Sequence, residues 1–127
     1  MISLELAKAL RDAGLVWKPK AGDWYCFGNS LPGLFDEDLL DYLNQRAKLF
    51  TEKYTYLPRL DQLLTEIERR MYDWSMTSNM DIRPDVKPEY YAELYNSDGD
   101  MVWEITKQNT ATEAAGQALL WILREGE

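Results

Sequence analysis

The chain has 127 residues, no histidine and a single cysteine, Cys26, and its formal net charge is −8 at pH 7. The absence of histidine excludes the commonest general base, the usual zinc ligand and the cysteine–histidine nucleophile pair. The negative charge disfavours phosphate backbones and anionic membranes as direct partners. No residue pattern predicts a cofactor or a metal site.

Length and apolar content predict one globular domain over residues 1–127. A chain of this size buries roughly two thirds of its unfolded surface, so it requires no disulfide or structural metal. The N-terminus lacks the basic and apolar segments of a signal peptide. The apolar run at 118–123 falls far short of the ~20 residues that a membrane span needs. With the lone cysteine, these features predict a cytoplasmic protein.

A helix is predicted at 3–14 and a strand at 23–27. Ser3 is a good N-cap, and Gly14 stands where a left-handed residue commonly ends a helix. The apolar stripe between them consists of Leu6, Ala7, Leu10 and Ala13. The aromatic run at 23–27 has the composition of a strand, and Ser30–Gly33 after it is typical of a turn.

Asp36 can cap a second helix, because apolar residues keep helical spacing from there to Phe50. An ordered loop is the other interpretation of Phe35–Thr51. Pro58 suits the first turn of a third helix. That helix has the cleanest amphipathic stripe in the chain, formed by Leu60, Leu63, Leu64, Ile67 and Met71.

Brief strands are predicted on either side of the third helix, at Lys53–Tyr56 and Tyr72–Met76. The polar stretch Thr77–Lys87 indicates a long exposed loop. Residues 89–106 predict a hairpin, since two aromatic or β-branched arms flank an Asp-Gly turn. A capping box at 110–113 then opens a final helix whose wide apolar face is typical of packing on a sheet.

These elements predict the α+β class. We expect one small antiparallel sheet of three or four strands, built from the 89–106 hairpin and the 23–27 strand. About three to four helices would accompany it, with the first, third and last covering it. Local signals agree along most of the chain, which favours a cooperative fold.

Three groups of residues invite a chemical interpretation. Asn96–Asp100 resembles part of a calcium loop, but its twelfth position would be Lys107, so a hairpin turn is favoured. Carboxylates at 36–38, 61, 68, 98 and 100 are favoured as solvated surface acids over a catalytic pair. Cys26 lies in an aromatic strand without a basic neighbour in the sequence, which favours an inert thiol.

The five tryptophans either fill the core or contact a partner. Trp103 and Trp121 lie on apolar faces, and core packing is favoured for both. Trp17 follows the first helix beside a Lys-Pro-Lys segment, and Trp74 lies in a short predicted strand. Trp17 and Trp74 are therefore the candidate partner contacts.

Three segments together carry a family resemblance: Leu6–Leu15, Leu57–Glu68 and Thr110–Leu123. Their order resembles small uncharacterised proteins carried by phages and prophages of Gram-positive bacteria. In those proteins a leading helix, a leucine–proline helix and an alanine–leucine terminal helix accompany a small antiparallel sheet. The resemblance covers about a third of the chain and implies no active site.

The leading hypothesis is a non-enzymatic accessory or interaction protein, phage- or prophage-related, that binds a protein partner. A metal-dependent hydrolase that uses clustered carboxylates is the first alternative. An acidic nucleic-acid mimic that inhibits a DNA- or RNA-binding enzyme is the second. Lys and Arg interrupt most acidic runs, which disfavours the mimic.

Overall fold

The computed structural model describes residues 1–18, 20–36, 54–78, 85 and 87–125. The chain divides into two compact units, an N-terminal unit at Met1–Pro58 and a C-terminal unit at Arg59–Glu127. Each unit is described by itself, and the single domain over 1–127 stays a prediction.

The N-terminal unit begins with a helix, α1 (Leu4–Asp12), that starts and ends as its sequence predicts. The Ser3 hydroxyl accepts a hydrogen bond from the Leu6 amide at 3.3 Å. At the other end the Leu15 amide donates to the Leu10 carbonyl at 3.0 Å, and the Gly14 amide donates to the Arg11 carbonyl at 3.1 Å. This pair of bonds is the Schellman motif, and Gly14 meets its requirement for a positive φ with a value of 109°.

The described part of the N-terminal unit also contains three strands: β1 (Trp24–Phe27), β2 (Gly33–Leu34) and β3 (Tyr54–Leu57). They form an antiparallel sheet in the order β2-β1-β3, and α1 packs against β3. Among the described residues of this unit, the buried apolar side chains are Ile2, Leu6, Ala7, Leu10, Cys26, Phe35 and Leu57. Because partners in register share a face, aromatic rings at 25, 27, 54 and 56 lie together on one side of the sheet.

The C-terminal unit contains α2 (Leu60–Arg69), β4 (Asp73–Ser78), β5 (Tyr90–Tyr95), β6 (Met101–Gln108) and α3 (Ala111–Glu125). Its antiparallel sheet has the order β4-β5-β6. The predicted capping box is partly realised, since the Thr110 hydroxyl accepts from the Glu113 amide at 3.0 Å. Helix α3 packs against α2, β5 and β6, as its wide apolar face predicts.

The α+β class is confirmed, but the strands are divided between two three-stranded sheets where one sheet was expected. The predicted hairpin and the predicted strands at 53–56 and 72–76 are all present, within one or two residues of the predicted limits. The predicted helix after Asp36 lies outside the described residues. Most of the predicted 77–87 loop does too, although Thr77 and Ser78 belong to β4. Within the described part, no helix is long and apolar enough to cross a membrane.

Helix α2 ends in a Schellman motif that has no glycine. The Met71 amide donates to the Glu68 carbonyl at 3.0 Å, and Met71 adopts the left-handed conformation with a φ of 68°. A Cβ atom at this position is crowded by the backbone, which costs roughly 1 kcal/mol. The exposed Met71 side chain makes little compensating contact.

Substitution of glycine for Met71 is therefore expected to raise the free energy of unfolding by about 0.5–1 kcal/mol, because the left-handed strain disappears. Urea denaturation of the wild type and of Met71→Gly measures the difference. Met71→Ala keeps a Cβ and should show no such gain. An equal gain in both variants would contradict the assignment of strain to the backbone.

Candidate binding pocket

Trp17 is held by aromatic and polar contacts within the N-terminal unit. Its ring stacks on Tyr56, with a centroid separation of 5.1 Å and an interplanar angle of 4°. Its edge contacts Phe35 at 5.3 Å and 74°. Its indole Nε1 donates to an Asp23 carboxylate oxygen at 2.9 Å. The tryptophan therefore has a fixed position and a fixed orientation.

Asp23 joins three segments around this tryptophan. Its side chain is only 4% exposed, and the same carboxylate oxygen also accepts from the Lys20 amide at 3.0 Å. Its backbone carbonyl accepts from the Phe35 amide at 2.7 Å. Buried carboxylates are stable when N–H donors satisfy them. Asp23 is therefore a structural acid that positions Trp17.

A cavity of about 220 Å³ lies beside Trp17. Its lining consists of Ala7, Arg11, Leu15, Val16, Trp17, Tyr54 and Tyr56. We call it the Trp17 pocket. An apolar cavity of about 150 Å³ accommodates benzene, so this pocket has room for one large side chain. The exposed Val16 stands at its rim.

Of the described residues that line the Trp17 pocket, Arg11 is the one that carries a formal charge. Its Nη1 donates to the Thr55 hydroxyl at 3.3 Å, and its Nε donates to Asp12 at 3.3 Å. The guanidinium is thus anchored at two of its nitrogens. The pocket combines apolar and aromatic walls with one fixed cation.

The other tryptophan singled out from the sequence lies in the C-terminal unit. Trp74 is 37% exposed, and its Nε1 donates to a Glu68 carboxylate oxygen at 3.0 Å. It pairs in register with the buried Leu94, so it projects from the face of the sheet that carries core side chains. A partner contact at either tryptophan stays a prediction.

Trp103 and Trp121, for which core packing is favoured, are both half-buried. Trp121 meets Tyr72 edge to face, with a centroid separation of 6.3 Å. The fully buried large side chains of the C-terminal unit are aliphatic: Leu63, Ile67, Leu94 and Leu119. The two tryptophans therefore border this core and leave its centre to leucine and isoleucine.

Two of the acidic residues considered for catalysis, Asp61 and Glu68, contact residues that are not acidic. Asp61 pairs with Arg59 at 3.2 Å, and Glu68 accepts a hydrogen bond from Trp74. In the hairpin, the Asn96 side-chain oxygen accepts from the amides of Asp98 and Asp100, both at 3.0 Å, which is a turn. Within the described ranges, no group of three or more Cys, Asp or Glu side chains could hold a metal ion. Glu37 and Asp38 lie outside those ranges.

Cys26 is a buried free thiol on β1. Burial raises its pKa above the ordinary value, and the opposing influence of Lys8 is smaller. The thiolate is the reactive form of a cysteine. The raised pKa and the burial of the sulfur therefore both keep Cys26 unreactive near neutral pH.

Tyrosines and glutamates share the face of the second sheet opposite the buried Ala92 and Leu94. Glu93 and Glu104 are direct cross-strand partners, and like charges in that position repel. The Tyr95 hydroxyl donates to Glu93. This hydrogen bond, together with burial and the charges of Glu93 and Glu104, raises the pKa of Tyr95.

Tyr95 is therefore expected to ionise at a higher pH in the folded protein than in the unfolded chain. The stability that follows from this difference is present below the unfolded pKa of about 10 and is lost as the pH rises through the folded pKa. Tyrosinate absorbance during an alkaline titration measures the shift when wild type and Tyr95→Phe are compared. Glu104→Gln removes one of the charges that raise the pKa of Tyr95, so it should return that pKa partway to its ordinary value. Ionisation of Tyr95 at or below its ordinary pH would contradict the assigned hydrogen bond.

Sequence reasoning selected Trp17 but not the residues that build a pocket around it. Tyr54 and Tyr56 belong to the brief strand predicted at Lys53–Tyr56. No pattern in the sequence distinguishes Arg11. The alternation of Tyr54 and Tyr56 was the available signal, because it places two rings on one face of β3.

Comparisons with protein families, with curated proteins and with solved structures find no match to this chain.

Proposed function

We propose that this chain is a non-enzymatic interaction protein whose Trp17 pocket receives an apolar side chain of a protein partner. The observation that carries the proposal is the open cavity of about 220 Å³ beside an immobilised tryptophan. Binding energy at protein interfaces is concentrated where one large side chain enters a well-packed pocket. The proposal thus gives the predicted interaction protein a specific site.

Contacts within the chain hold the tryptophan wall of the pocket in place. Stacking on Tyr56 and the hydrogen bond to Asp23 fix the ring of Trp17, so a partner does not have to order it. Ordering a side chain on binding costs about 0.5–1.5 kcal/mol, and a preorganised wall avoids that cost. This rigidity favours recognition by shape.

The chemistry of the lining favours binding over catalysis. The described residues of the lining include no carboxylate, histidine or cysteine that could act as a general base or a nucleophile. An apolar anchor buried in such a pocket contributes about 1.5–3 kcal/mol for a leucine- or phenylalanine-sized side chain. The interaction is therefore of moderate strength and reversible.

The proposal extends to place and origin. We propose that the protein acts in the cytoplasm, and its single buried free thiol supports this location. We also propose that it is a phage- or prophage-related accessory protein, and the resemblance of its three helical segments supports this origin. Genes for phage morphogenesis, lysis or replication beside its own gene are the expected genomic finding. A neighbourhood of housekeeping genes would contradict the phage origin and leave the pocket proposal standing.

Selection from a displayed library of short random peptides tests the binding function. We expect the selected peptides to share one large apolar or aromatic residue. Their binding should fall at least tenfold in Val16→Asp, because an apolar anchor in the pocket would remove water from the new carboxylate at the rim.

Leu31→Asp is the matched control. Val16 is 74% exposed and Leu31 is 90% exposed, so neither substitution disturbs the core, and only Val16 lines the pocket. Peptides that bind wild type, Val16→Asp and Leu31→Asp equally would contradict the proposal, as would a selection that enriches no apolar residue.

A further inference from the structure

We infer that the Trp17 pocket selects an apolar side chain that stands next to a carboxylate, as at the C-terminal residue of a partner protein, and that Arg11 binds the carboxylate. This inference rests on the proposed function and names the chemistry of its ligand. The geometry that points to it is a guanidinium in the lining of the cavity, whose other described residues are apolar or aromatic.

Arg11 has donors left for a ligand. A guanidinium carries five N–H groups, and the contacts of Arg11 to Thr55 and Asp12 use two of them, which leaves three. The remaining donors are one N–H of Nη1 and two of Nη2, and guanidinium N–H groups form strong charge-assisted hydrogen bonds to carboxylate oxygens. The bond to Thr55 holds the fork in one orientation, so little conformational freedom is lost when a carboxylate binds.

Asp12 competes with such a ligand only weakly. Its side chain is 72% exposed, and its single contact with Arg11 is a 3.3 Å bond to Nε. An ion pair this exposed is screened by water and contributes little. The guanidinium therefore keeps most of its attraction for a second anion.

The charge of the N-terminal unit also permits an anionic ligand. Residues 1–58 contain seven basic and eight acidic residues, whereas residues 59–127 contain seven basic and fourteen acidic residues. The sequence therefore concentrates its negative charge in the C-terminal unit. A carboxylate that approaches the Trp17 pocket meets a nearly neutral unit with a cation at the site.

Two peptides of identical sequence test the inference: each ends in phenylalanine, one with a free carboxylate and one with a C-terminal amide. Isothermal titration calorimetry at low ionic strength should show the free acid binding about five- to tenfold more tightly than the amide. In Arg11→Gln the acid and the amide should bind equally tightly. N-acetylphenylalanine, as a small acid without a peptide, should bind more weakly than the peptide acid.

Arg59→Gln is the matched control, because Arg59 is similarly exposed (42% against 38% for Arg11), pairs with an aspartate and does not line the pocket. It should keep the wild-type preference.

Equal binding of acid and amide to the wild type would overturn this inference and leave the proposed function standing. Binding of neither peptide would overturn both. A preference that survives in Arg11→Gln would remove Arg11 from the site, and N-acetylphenylalanine binding as tightly as the peptide acid would overturn the C-terminal source. The comparison of the two peptides on the wild type stands even if Arg11→Gln fails to fold.

Discussion

Replacement of Phe35 by alanine is expected to lower the free energy of unfolding of the N-terminal unit by about 3–5 kcal/mol. Phe35 is one of the largest fully buried side chains, and its ring meets the rings of Trp17 and Tyr25 edge to face. Truncation leaves a cavity behind Trp17, so the wall of the pocket loses its support. Peptide binding should weaken together with stability.

Urea denaturation measured by tryptophan fluorescence gives the change in stability. Phe27→Ala is the control, because Phe27 lies on the same sheet with its side chain exposed, and its loss should cost less than about 1 kcal/mol. Loss of less than about 1 kcal/mol in Phe35→Ala as well would contradict the central place of Phe35 in this core.

Replacement of Asp23 by alanine is expected to cost about 2–4 kcal/mol, because two donors lose their acceptor. The indole N–H of Trp17 and the backbone amide of Lys20 both donate to the buried carboxylate of Asp23. A buried donor left without a partner costs about 1–3 kcal/mol. Asp23→Asn keeps one acceptor oxygen and should lose less.

A double-mutant cycle isolates the hydrogen bond to the tryptophan. Trp17→Phe keeps an aromatic ring and removes the N–H, and the coupling with Asp23→Ala should be about 1.5–3 kcal/mol, since the acceptor is charged. Urea denaturation of the four proteins supplies the four free energies. A coupling indistinguishable from zero would show that Asp23 does not position Trp17.

Local signals predicted most of the regular structure, because they act within a few residues. Ser3 and Gly14 mark the ends of α1, and Thr110 marks the start of α3. The end of α2 is different: Met71 takes a left-handed conformation that the sequence does not announce, since the residue expected there is glycine. Packing of the helix that precedes it overrides that local preference.

The division of the strands between two sheets could not be predicted from local patterns. Composition predicts a strand at 23–27 and a hairpin at 89–106 but does not say which strands pair. Strand β1 pairs with β2 and β3, while the hairpin pairs with β4. Such choices depend on contacts between residues far apart in the chain, which periodicity does not encode.

The Trp17 pocket was only partly predictable for the same reason. The position of Trp17 after the first helix, beside a Lys-Pro-Lys segment, singled it out. The rest of the site depends on β3, which lies about forty residues further along and brings Thr55 within reach of Arg11, a separation of 44 positions. Only the packing of α1 on β3 turns a scattered set of tyrosines, one arginine and one tryptophan into a single cavity.

Intermolecular nuclear Overhauser effects between a selected peptide and the protein test the central claim most directly. If the Trp17 pocket is the binding site, the ring protons of the peptide's anchor residue should show contacts to Trp17, Tyr54 and Tyr56, and Val16→Asp should abolish them. Contacts to Trp74 or to the tyrosines of the second sheet, with none to Trp17, would contradict the claim.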